Sequence, residues 1–448
     1  MPEPNSPNER RTIAALATAP GRSAIAIIRI SGPKAREALG ALIGSHKVEP
    51  RRAELLKIKD PTSGAMIDEG LVLWFPAPAS FTGEDVVELQ VHGSRAVVAG
   101  LLGVLAEDCG VELAEPGEFT RRAFDNGKLD LTQVEALADL IDAETEGQRR
   151  QALRQFEGVL GAKAEAWREQ LIRASAFLEA AIDFPDEDLP GDSYARAAPI
   201  IARVDEEIAA ALNDNRSGER MREGITIAII GPPNAGKSTL LNALAKREVA
   251  IVSEHAGTTR DVIEVSLDLG GVPVILLDTA GLRDVADPVE QEGVRRARAR
   301  AERADLRILL WDATQAPADW SSLGLEPKPQ DLLVYAKADL AQPAVHDHSI
   351  AVSAKAGLGL ASLIAAIAAA ARDKVNAGMN SLVTRARHRQ ELARAEAALR
   401  SALRAGTDRT ELMAEDVRTA AHALGRLTGR IDVEEILDVV FAEFCLGK

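Results

Sequence analysis

The sequence predicts a multi-domain α/β protein: an N-terminal α+β domain, a helical bundle built from two chain segments, and a doubly wound α/β domain inserted between those segments. Up to about residue 120, strand-like and helix-like stretches are mixed. Helical spacing of apolar residues then dominates on either side of a central segment. That segment alternates helices with near-continuous apolar runs, which is typical of a parallel sheet covered by helices on both faces.

The predicted domain boundaries follow these changes in pattern. The N-terminal domain takes residues 1–120, the helical domain residues 121–217 and 378–448, and the inserted domain residues 218–377. In the N-terminal domain we expect strands at 13–18, 24–30, 71–75 and 86–91 and helices at 33–42 and 95–105. In the inserted domain the apolar runs predict strands at 225–230, 272–277, 306–311, 332–335 and 350–352.

The helical domain is predicted from apolar stripes that no single helix can bury alone. A capping-box pattern, Thr132-Gln-Val-Glu135, marks the start of its first helix. A second helix spans about 163–182. A third carries one stripe, and three stripes near the other end of the chain should supply the packing partners of these helices. The stripes are Ile201, Val204, Ile208 and Leu212; Leu392, Ala395, Leu399 and Leu403; Met413, Val417, Ala420 and Leu424; and Ile436, Val440 and Phe444.

Composition favours a globular protein of the cytoplasm. Of the 448 residues 46% are hydrophobic and 27% are charged, and no apolar run reaches the ~20 residues that a membrane span needs. The two cysteines, Cys109 and Cys445, exclude a disulfide scaffold and suit a reducing compartment. The net charge of −15 argues against binding nucleic acid through general electrostatics, so we expect any RNA contact to be local or made by a partner.

The central motif is Gly231-Pro-Pro-Asn-Ala-Gly-Lys-Ser238, which stands between an apolar run and a helix-like stretch. Backbone N–H groups of such a loop surround phosphates, and the following helix adds its positive N-terminal end. Lys237 would neutralise β- and γ-phosphate charge, and the Ser238 hydroxyl would hold Mg²⁺. The pattern therefore predicts a nucleotide-phosphate site.

Four further motifs follow in order, each in a loop or at the end of a strand. They are Gly257-Thr-Thr-Arg-Asp261, Asp278-Thr-Ala-Gly281, Lys337-Ala-Asp339 and Ser353-Ala-Lys355. The first offers a threonine to Mg²⁺, and Asp278 puts a carboxylate beside the metal. Asp339 could accept both N1–H and N2–H of guanine, a pair of donors that adenine does not offer. Together these motifs predict a Ras-like GTPase domain.

Two positions depart from the usual GTPase pattern. Ala336 stands where the base motif Asn-Lys-x-Asp has asparagine, a loss worth roughly one hydrogen bond, ~1 kcal/mol, and we expect guanine preference to survive through Asp339. Leu282 stands where Ras-like GTPases have the glutamine that orients the attacking water. The acidic segment 284–292 is the nearest alternative source. Arg260 and Arg283 could each be an arginine finger or a solvated loop charge.

The sequence resembles the MnmE (TrmE) family of tRNA-modification GTPases along almost its whole length. Several motifs carry the resemblance, in the GTPase segment and at both ends of the chain. They are Asn234, Gly257-Thr-Thr-Arg-Asp261, Asp278-Thr-Ala-Gly-Leu-Arg283, Phe81-Thr-Gly-Glu-Asp85, Pro116-Gly-Glu-Phe119, Asn126-Gly-Lys-Leu-Asp130 and Cys445-Leu-Gly-Lys448.

The resemblance implies a mechanism that replaces both the water-orienting glutamine and an arginine finger. In the family K⁺ occupies the place of an arginine finger, two GTPase domains dimerise across their nucleotide faces, and a glutamate that matches Glu290 orients the water. The implied K⁺ ligands are Asn234, Ser253, His255 and Thr258, and the implied Mg²⁺ ligands are Ser238 and Thr259. The implied GTP contacts are Asn234, Ala235, Gly236, Lys237, Ser238, Thr239, Ser253, Glu254, His255, Ala256, Gly257, Thr258, Thr259, Asp278, Thr279, Ala280, Gly281, Lys337, Asp339, Ser353, Ala354 and Lys355.

The N-terminal domain carries a second candidate site. Arg29 lies on the same strand face as Ile25 and Ile27, where a charge needs an acidic or anionic partner. Glu88 and Lys128 could instead be ordinary exposed charges. In the family the positions of Arg29, Glu88, Lys128 and Lys448 match a site for 5-formyltetrahydrofolate or a related reduced folate. The resemblance also places Cys445 near the one-carbon chemistry, although it could be a small buried hydrophobe; Cys109 is interpreted as structural.

The leading interpretation is an enzyme that hydrolyses GTP to drive modification of the tRNA wobble uridine, as a homodimer in complex with the flavin-dependent partner MnmG (GidA) that the resemblance implies. The alternative is a GTP-operated switch in ribosome or RNA assembly, as in Era-like proteins, but no basic RNA-binding module is visible. A folate-binding protein with a vestigial GTPase domain is favoured slightly by Ala336 and disfavoured by Lys237, Ser238 and Asp278.

Overall fold

The structure is a computed structural model. It describes residues 11–183, 193–232, 234–247, 249–251, 264–278, 303–315, 328–341, 349–375, 381–406, 409–431, 437, 440, 441, 444 and 447. The chain divides into two compact units, one formed by Met1–Ala138 with Thr428–Lys448 and the other by Asp139–Leu427. Among the described helices, none combines the length and the apolar character that crossing a bilayer requires.

The first unit contains a six-stranded sheet in the order β3-β4-β5-β2-β1-β6. Its strands are β1 Ile13–Leu16, β2 Ile25–Ser31, β3 Glu54–Lys59, β4 Met66–Phe75, β5 Val86–His92 and β6 Glu112–Leu113. Its helices are α1 Ala35–Ile43, α2 Arg95–Asp108, α3 Glu118–Asp125 and α4, which spans Leu131–Ile141. The predicted α+β class is confirmed. Two strands were missed: β3, which mixes charged and apolar residues within a polar stretch, and β6, which is only two residues long.

The two faces of this sheet have different covers. One face packs on α1 and α2 through a core that includes Ile28, Ile30 and Leu89. The opposite face carries a smaller cluster in which Phe119 of α3 packs with Ile13 and Ala15 of β1. Arg29 is paired in register with Ala15 on one side and Glu88 on the other, so it lies on this second, less covered face.

The predicted capping box of the first helix is wrong by two residues. Helix α4 begins at Leu131, and the carboxylate of Asp130 accepts the backbone N–H of Gln133 at 2.9 Å. The Gln133 side chain in turn accepts the N–H of Asp130 at 3.0 Å. The Thr132 hydroxyl donates to Asp130 at 2.6 Å instead of capping the helix itself. Aspartate, a full charge, is the better acceptor for the free N–H groups of a helix N-terminus.

The second unit contains the predicted parallel sheet, in the order β12-β11-β10-β7-β9-β8. Its strands are β7 Ile225–Ile230, β8 Glu264–Asp268, β9 Pro273–Asp278, β10 Leu306–Asp312, β11 Leu332–Ala336 and β12 Ser349–Ala351. All neighbours are parallel except β8, which pairs antiparallel with β9 and was not predicted. The described helices that belong to this sheet are α9 Lys237–Ala245 and α10 Leu360–Val375.

The remaining helices of the second unit come from both sides of that sheet in the sequence. They are α5 Glu146–Phe156, α6 Val159–Asp183, α7 Ser193–Leu212, α8 Ser217–Glu223, α11 Ala386–Ala405 and α12, which spans Thr410–Thr428. A single core joins the two sets: Trp167 and Leu171 of α6, Ile201 of α7, Leu392 of α11 and Val417 of α12 are all fully buried in it. The prediction that stripes from the two ends of the chain pack together is confirmed for Ile201, Val204, Ile208, Leu392, Ala395, Leu399, Met413, Val417, Ala420 and Leu424.

Arg389 links the segment where the chain leaves the helical bundle to the segment where it returns. Its Nη2 donates to Asp214, which lies before α8, at 2.6 Å, and its Nε donates to Glu219 of α8 at 3.1 Å. Ser381, on the returning segment, donates from Oγ to the same Asp214 at 2.6 Å. Burial alone would raise the pKa of Asp214, but the hydrogen bonds from Ser381 and Arg389 outweigh burial and keep that pKa below its ordinary value.

Three glutamines on one face of α5 donate hydrogen bonds to backbone carbonyls of these outgoing and returning segments. Gln148 donates to the carbonyl of Arg222 at 3.0 Å and Gln151 to the carbonyl of Gly218 at 3.0 Å. Gln155 donates to the carbonyl of Leu382, on the returning segment, at 3.1 Å. Their spacing along the helix puts all three amides on one side. The outgoing and returning segments are therefore tied to one helix.

We predict that Arg389→Met lowers the free energy of unfolding by about 3 kcal/mol. This is the lower end of the cost of removing one partner of a buried ion pair, because Arg389 itself is partly exposed. Denaturant unfolding of the full chain measures the change. Arg418→Met, which removes exposed pairs with Glu415 and Glu179, is the matched control and should cost about 0–1 kcal/mol. Equal effects of the two variants would contradict the structural role given to Arg389.

Candidate functional site: a phosphate loop and a base loop at one sheet edge

The phosphate loop leaves the carboxyl end of β7, in the middle of the parallel sheet. Its first residue must be glycine, because a Cβ at Gly231 would lie 2.1 Å from the carbonyl oxygen of Leu310. Gly236 has φ +101, a conformation that side chains rarely adopt, and α9 begins at the next residue. Both glycines are thus required by the backbone of this loop.

The start of α9 has the geometry of an anion site. Its N-cap residue is Gly236, which provides no side-chain cap for the first N–H groups of the helix. Lys237 Nζ donates to the carbonyls of Gly231 and Pro232, at 2.8 and 2.9 Å, so its charge is held over the loop. Ala235 is fully buried beneath the loop, while Ser238 is half-buried and Thr239 is exposed. A phosphate fits this cradle because N–H groups, a helix N-terminus and an ammonium converge on it.

Asn234 is exposed at the tip of the loop and has φ +61. Asparagine tolerates this left-handed conformation better than most residues. The other proposed K⁺ ligands, Ser253, His255 and Thr258, lie outside the described residues, as do Glu254, Ala256, Gly257 and Thr259. Thr279, Ala280, Gly281 and Glu290 also lie outside them, whereas the backbone of Asp278 closes β9.

The base loop follows β11, two strands away from β7. Lys337 has φ +60 and its carbonyl accepts the N–H of Leu340 at 2.9 Å, so the chain turns sharply and leaves Asp339 exposed. The N–H of Ala338 donates to the carbonyl of Val352 at 3.0 Å, which ties this loop to the next one.

The loop after β12 carries the last motif. Ser353 is buried, and its Oγ accepts the N–H of Ala356 at 3.1 Å. Ala354 is half-buried and Lys355 is exposed.

The two loops meet at Ala336. A Cβ built on Gly236 would lie 3.8 Å from the Cβ of Ala336, and Ala336 is buried in the core of the sheet. The residue that replaces the usual asparagine therefore packs beside the phosphate loop. The phosphate and base loops share the carboxyl edge of β7, β10 and β11, where parallel α/β sheets bind their ligands.

Asp312, at the end of β10, is a buried residue beside the base loop that the sequence reasoning did not identify. Lys337 Nζ donates to its Oδ2 at 2.6 Å, and Thr314 donates to its Oδ1 from both its N–H and its hydroxyl, at 3.0 and 2.8 Å. The sequence did contain a pattern that could have identified Asp312: it is an aspartate at the end of an apolar strand, the same pattern by which Asp278 was identified.

The second candidate site lies on the open face of the N-terminal sheet. Arg29 donates from Nε to Oε1 of Glu88 at 3.0 Å, so the acidic partner expected for Arg29 is Glu88. The guanidinium lies 5.6 Å from the ring centre of Phe81 and 5.8 Å from that of Phe119, two contacts that the sequence reasoning missed. Its Nη1 also donates to the carbonyl of Gly447 at 3.3 Å.

The remaining residues predicted for this second site are only partly described. Lys128 is exposed and its Nζ donates to the carbonyl of Pro78 at 3.0 Å, in the loop that also carries Phe81. Lys448 and Cys445 lie outside the described residues, although the neighbouring Gly447 contacts Arg29. Cys109 is half-buried, and burial raises the pKa of its thiol, as expected for a structural cysteine.

Two family models match the chain. The model described as the MnmE helical domain matches residues 131–445, and the model described as the GTP-binding protein TrmE N-terminus matches residues 12–128.

Many curated relatives match this chain, and three that match over almost the full length are each named tRNA modification GTPase MnmE. The protein from Parvibaculum lavamentivorans is 58% identical over 98% of this chain and 100% of its own length. Those from Beijerinckia indica and Paramagnetospirillum magneticum are 56% and 53% identical over 98% of this chain and 96% and 99% of theirs. With both family models and full-length relatives in agreement, the chain belongs to the MnmE (TrmE) family of tRNA modification GTPases.

Proposed function

We propose that this chain is a K⁺-dependent GTPase that modifies the C5 position of the tRNA wobble uridine, an aminomethyl-type modification, using a one-carbon unit from a reduced folate. The observation that carries the GTPase part is the meeting of the phosphate loop and the base loop at Ala336, on one edge of a parallel sheet. The names of the relatives, tRNA modification GTPase MnmE, support the tRNA substrate.

GTP binding uses residues of both loops. Lys237 and the first N–H groups of α9 hold the phosphates, and Asp339 accepts the two guanine N–H donors. Ser238 and Thr259 are the proposed Mg²⁺ ligands, with Asp278 beside the metal. Two of these residues that the structure describes are compatible with GTP binding. Lys237 donates to carbonyls of the phosphate loop, and Asp339 is exposed at the sharp turn after β11. Bound Mg²⁺ would offset negative charge on the phosphates.

Potassium is proposed because the family resemblance places K⁺ where an arginine finger would act, and Arg260 and Arg283 are the sequence's candidates for such a finger. Asn234, Ser253, His255 and Thr258 would ligate K⁺, and Glu290 would orient the attacking water. A bound K⁺ would supply positive charge where it develops during phosphoryl transfer. Asn234 fits this role in one respect that the structure records, since it is exposed on the left-handed tip of the loop. Dimerisation across the nucleotide faces belongs to the same proposal.

A folate is proposed for the open face of the N-terminal sheet. There Arg29 and Glu88 form a half-buried pair, with the side chains 21% and 18% exposed, and the Arg29 guanidinium lies near the rings of Phe81 and Phe119. A carboxylate, a guanidinium and aromatic rings suit a pterin, which is flat and has both donors and acceptors, and an anionic glutamate tail. Lys128 and Lys448 would add positive charge for the tail, and Cys445 would lie near the one-carbon unit.

The proposed assembly is a homodimer that acts in the cytoplasm with the flavin-dependent partner MnmG (GidA). The net charge of −15 supports a partner that supplies much of the tRNA contact. We propose the domain division given above: 1–120 for folate and dimerisation, 121–217 with 378–448 for the helices, and 218–377 for GTP.

We predict that GTP turnover by the purified chain is faster in KCl than in NaCl at matched ionic strength. An increase of at least about 10-fold is expected, because a finger charge contributes up to ~10³–10⁵-fold. Phosphate release at saturating GTP and Mg²⁺ measures it. Asn234→Gly is the control: it keeps the left-handed backbone, removes the proposed ligand, and should bring both salts to one low rate. Equal wild-type rates in the two salts would refute the K⁺ proposal.

We predict that Arg29→Met weakens binding of 5-formyltetrahydrofolate to the full chain by about 2–5 kcal/mol, the cost of truncating one partner of a buried charge pair. Calorimetry measures the affinity. The matched control is Arg36→Met in α1, because Arg36 also lies over an aromatic ring, that of Trp74 at 4.5 Å, but belongs to the helix-covered face. A wild-type chain that gives no heat with millimolar ligand would leave Arg29 and Glu88 as a structural pair.

A further inference from the structure

Asp312 is placed directly beside the position where the base motif departs from its usual form. In the parallel pairing of β10 with β11, Asp312 is in register with Ala336. The N–H of the following residue, Ala313, donates to the carbonyl of Ala336 at 2.9 Å. The charged side chain of Asp312, on the neighbouring strand, thus lies beside the position where the usual asparagine is replaced by alanine.

The carboxylate of Asp312 is buried and fully engaged. Its side chain is 4% exposed, whereas that of Lys337 is 37% exposed, so the aspartate is the fixed member of the pair. Thr314 holds Oδ1 with two hydrogen bonds, which leaves Oδ2 for the Lys337 ammonium at 2.6 Å. Burial by itself would raise the pKa of Asp312, but the hydrogen bonds from Lys337 and Thr314 hold it below the ordinary value. The carboxylate therefore stays charged at neutral pH.

The lysine that it holds is the first residue of the base loop. Lys337 has φ +60, which is unfavourable for a residue with a long side chain. Asp339 lies only two positions after Lys337 in the sequence, so a change in the Lys337 backbone moves the carboxylate that is proposed to read the base. The ion pair opposes such a change because it fixes the side chain to β10.

We propose that Asp312 is a positioning residue of the guanine site, which holds the base loop through Lys337 in place of the missing asparagine. This inference rests on the proposed GTP site and adds a residue to it. Asp312 would not touch the nucleotide phosphates, since it contacts the turn after β11 and not the phosphate loop. Removing the Asp312 charge should therefore weaken binding of the guanine base and leave phosphate binding unchanged.

The chain offers a matched control on the same two strands. Asp331, just before β11, pairs with Arg307 of β10, with Nε donating to Oδ1 at 2.9 Å. This aspartate is also buried, with its side chain 1% exposed. The two ion pairs thus join the same strands at opposite ends, and only the Asp312–Lys337 pair adjoins the base loop. Breaking either pair should lower stability, but only one should change nucleotide recognition.

The test compares Asp312→Asn with Asp331→Asn in the full chain, using GDP and inorganic tripolyphosphate as two probes in the presence of Mg²⁺. Asparagine keeps the shape of Asp312 and its bonds to Thr314 but loses the charge. We expect Asp312→Asn to weaken GDP binding by about 10- to 100-fold, the scale of a hydrogen bond to a charged group, and to leave tripolyphosphate binding unchanged. Asp331→Asn should change neither affinity, and thermal unfolding monitors stability in both variants.

Several outcomes would overturn the inference. Unchanged GDP affinity in Asp312→Asn, equal losses for GDP and tripolyphosphate, or the same loss of GDP affinity in Asp331→Asn would each show that Asp312 has only a structural role. If Asp312→Asn does not fold, the double variant with Lys337→Met is compared with Lys337→Met alone. Equal GDP affinities support a role through Lys337, and a further loss in the double variant contradicts it. A wild-type chain that binds tripolyphosphate but not GDP would instead refute the proposed guanine site itself.

Discussion

The structure of the second unit depends on one constraint: the chain leaves a helical bundle, builds a complete parallel sheet, and must return to the same bundle. Arg389 meets this constraint because one guanidinium binds Asp214 and Glu219 on the outgoing side, while Asp214 also accepts from Ser381 on the returning side. Buried carboxylates are costly without such partners. The network therefore fixes where the sheet begins and ends relative to the helices that bury Trp167 and Leu392.

The same sheet places two loops from distant parts of the sequence at one edge. The phosphate loop is determined locally, since Gly231 must be glycine beside the Leu310 carbonyl. The base loop depends on its neighbours, since Lys337 is held by Asp312 of β10 and Ala338 by Val352. Ala336 lies between the loops, so a change there affects both. In the proposed site, guanine recognition would therefore depend on the strand order as well as on the four-residue motif.

Much of this could be predicted from the sequence, because strands buried on both faces are continuous apolar runs and helices bury stripes; β7 was predicted to the residue. Strands with alternating or charged residues, β3 and β8, were missed because their patterns resemble polar loops. The cap at Asp130 was misplaced because Thr132 fits the same motif. Contacts between residues far apart in sequence, such as those of Arg29 with Phe81 and Phe119, leave no local pattern to find.

The base loop is expected to select guanine although Ala336 replaces its usual asparagine. A competition titration of GTP against ATP on the full chain, with Mg²⁺ present, tests it most directly. Asp339 can accept hydrogen bonds from both N1–H and N2–H of guanine, and adenine does not offer this pair of donors. GTP should therefore displace a bound guanine nucleotide at much lower concentration than ATP. Comparable affinities for the two nucleotides would contradict the account.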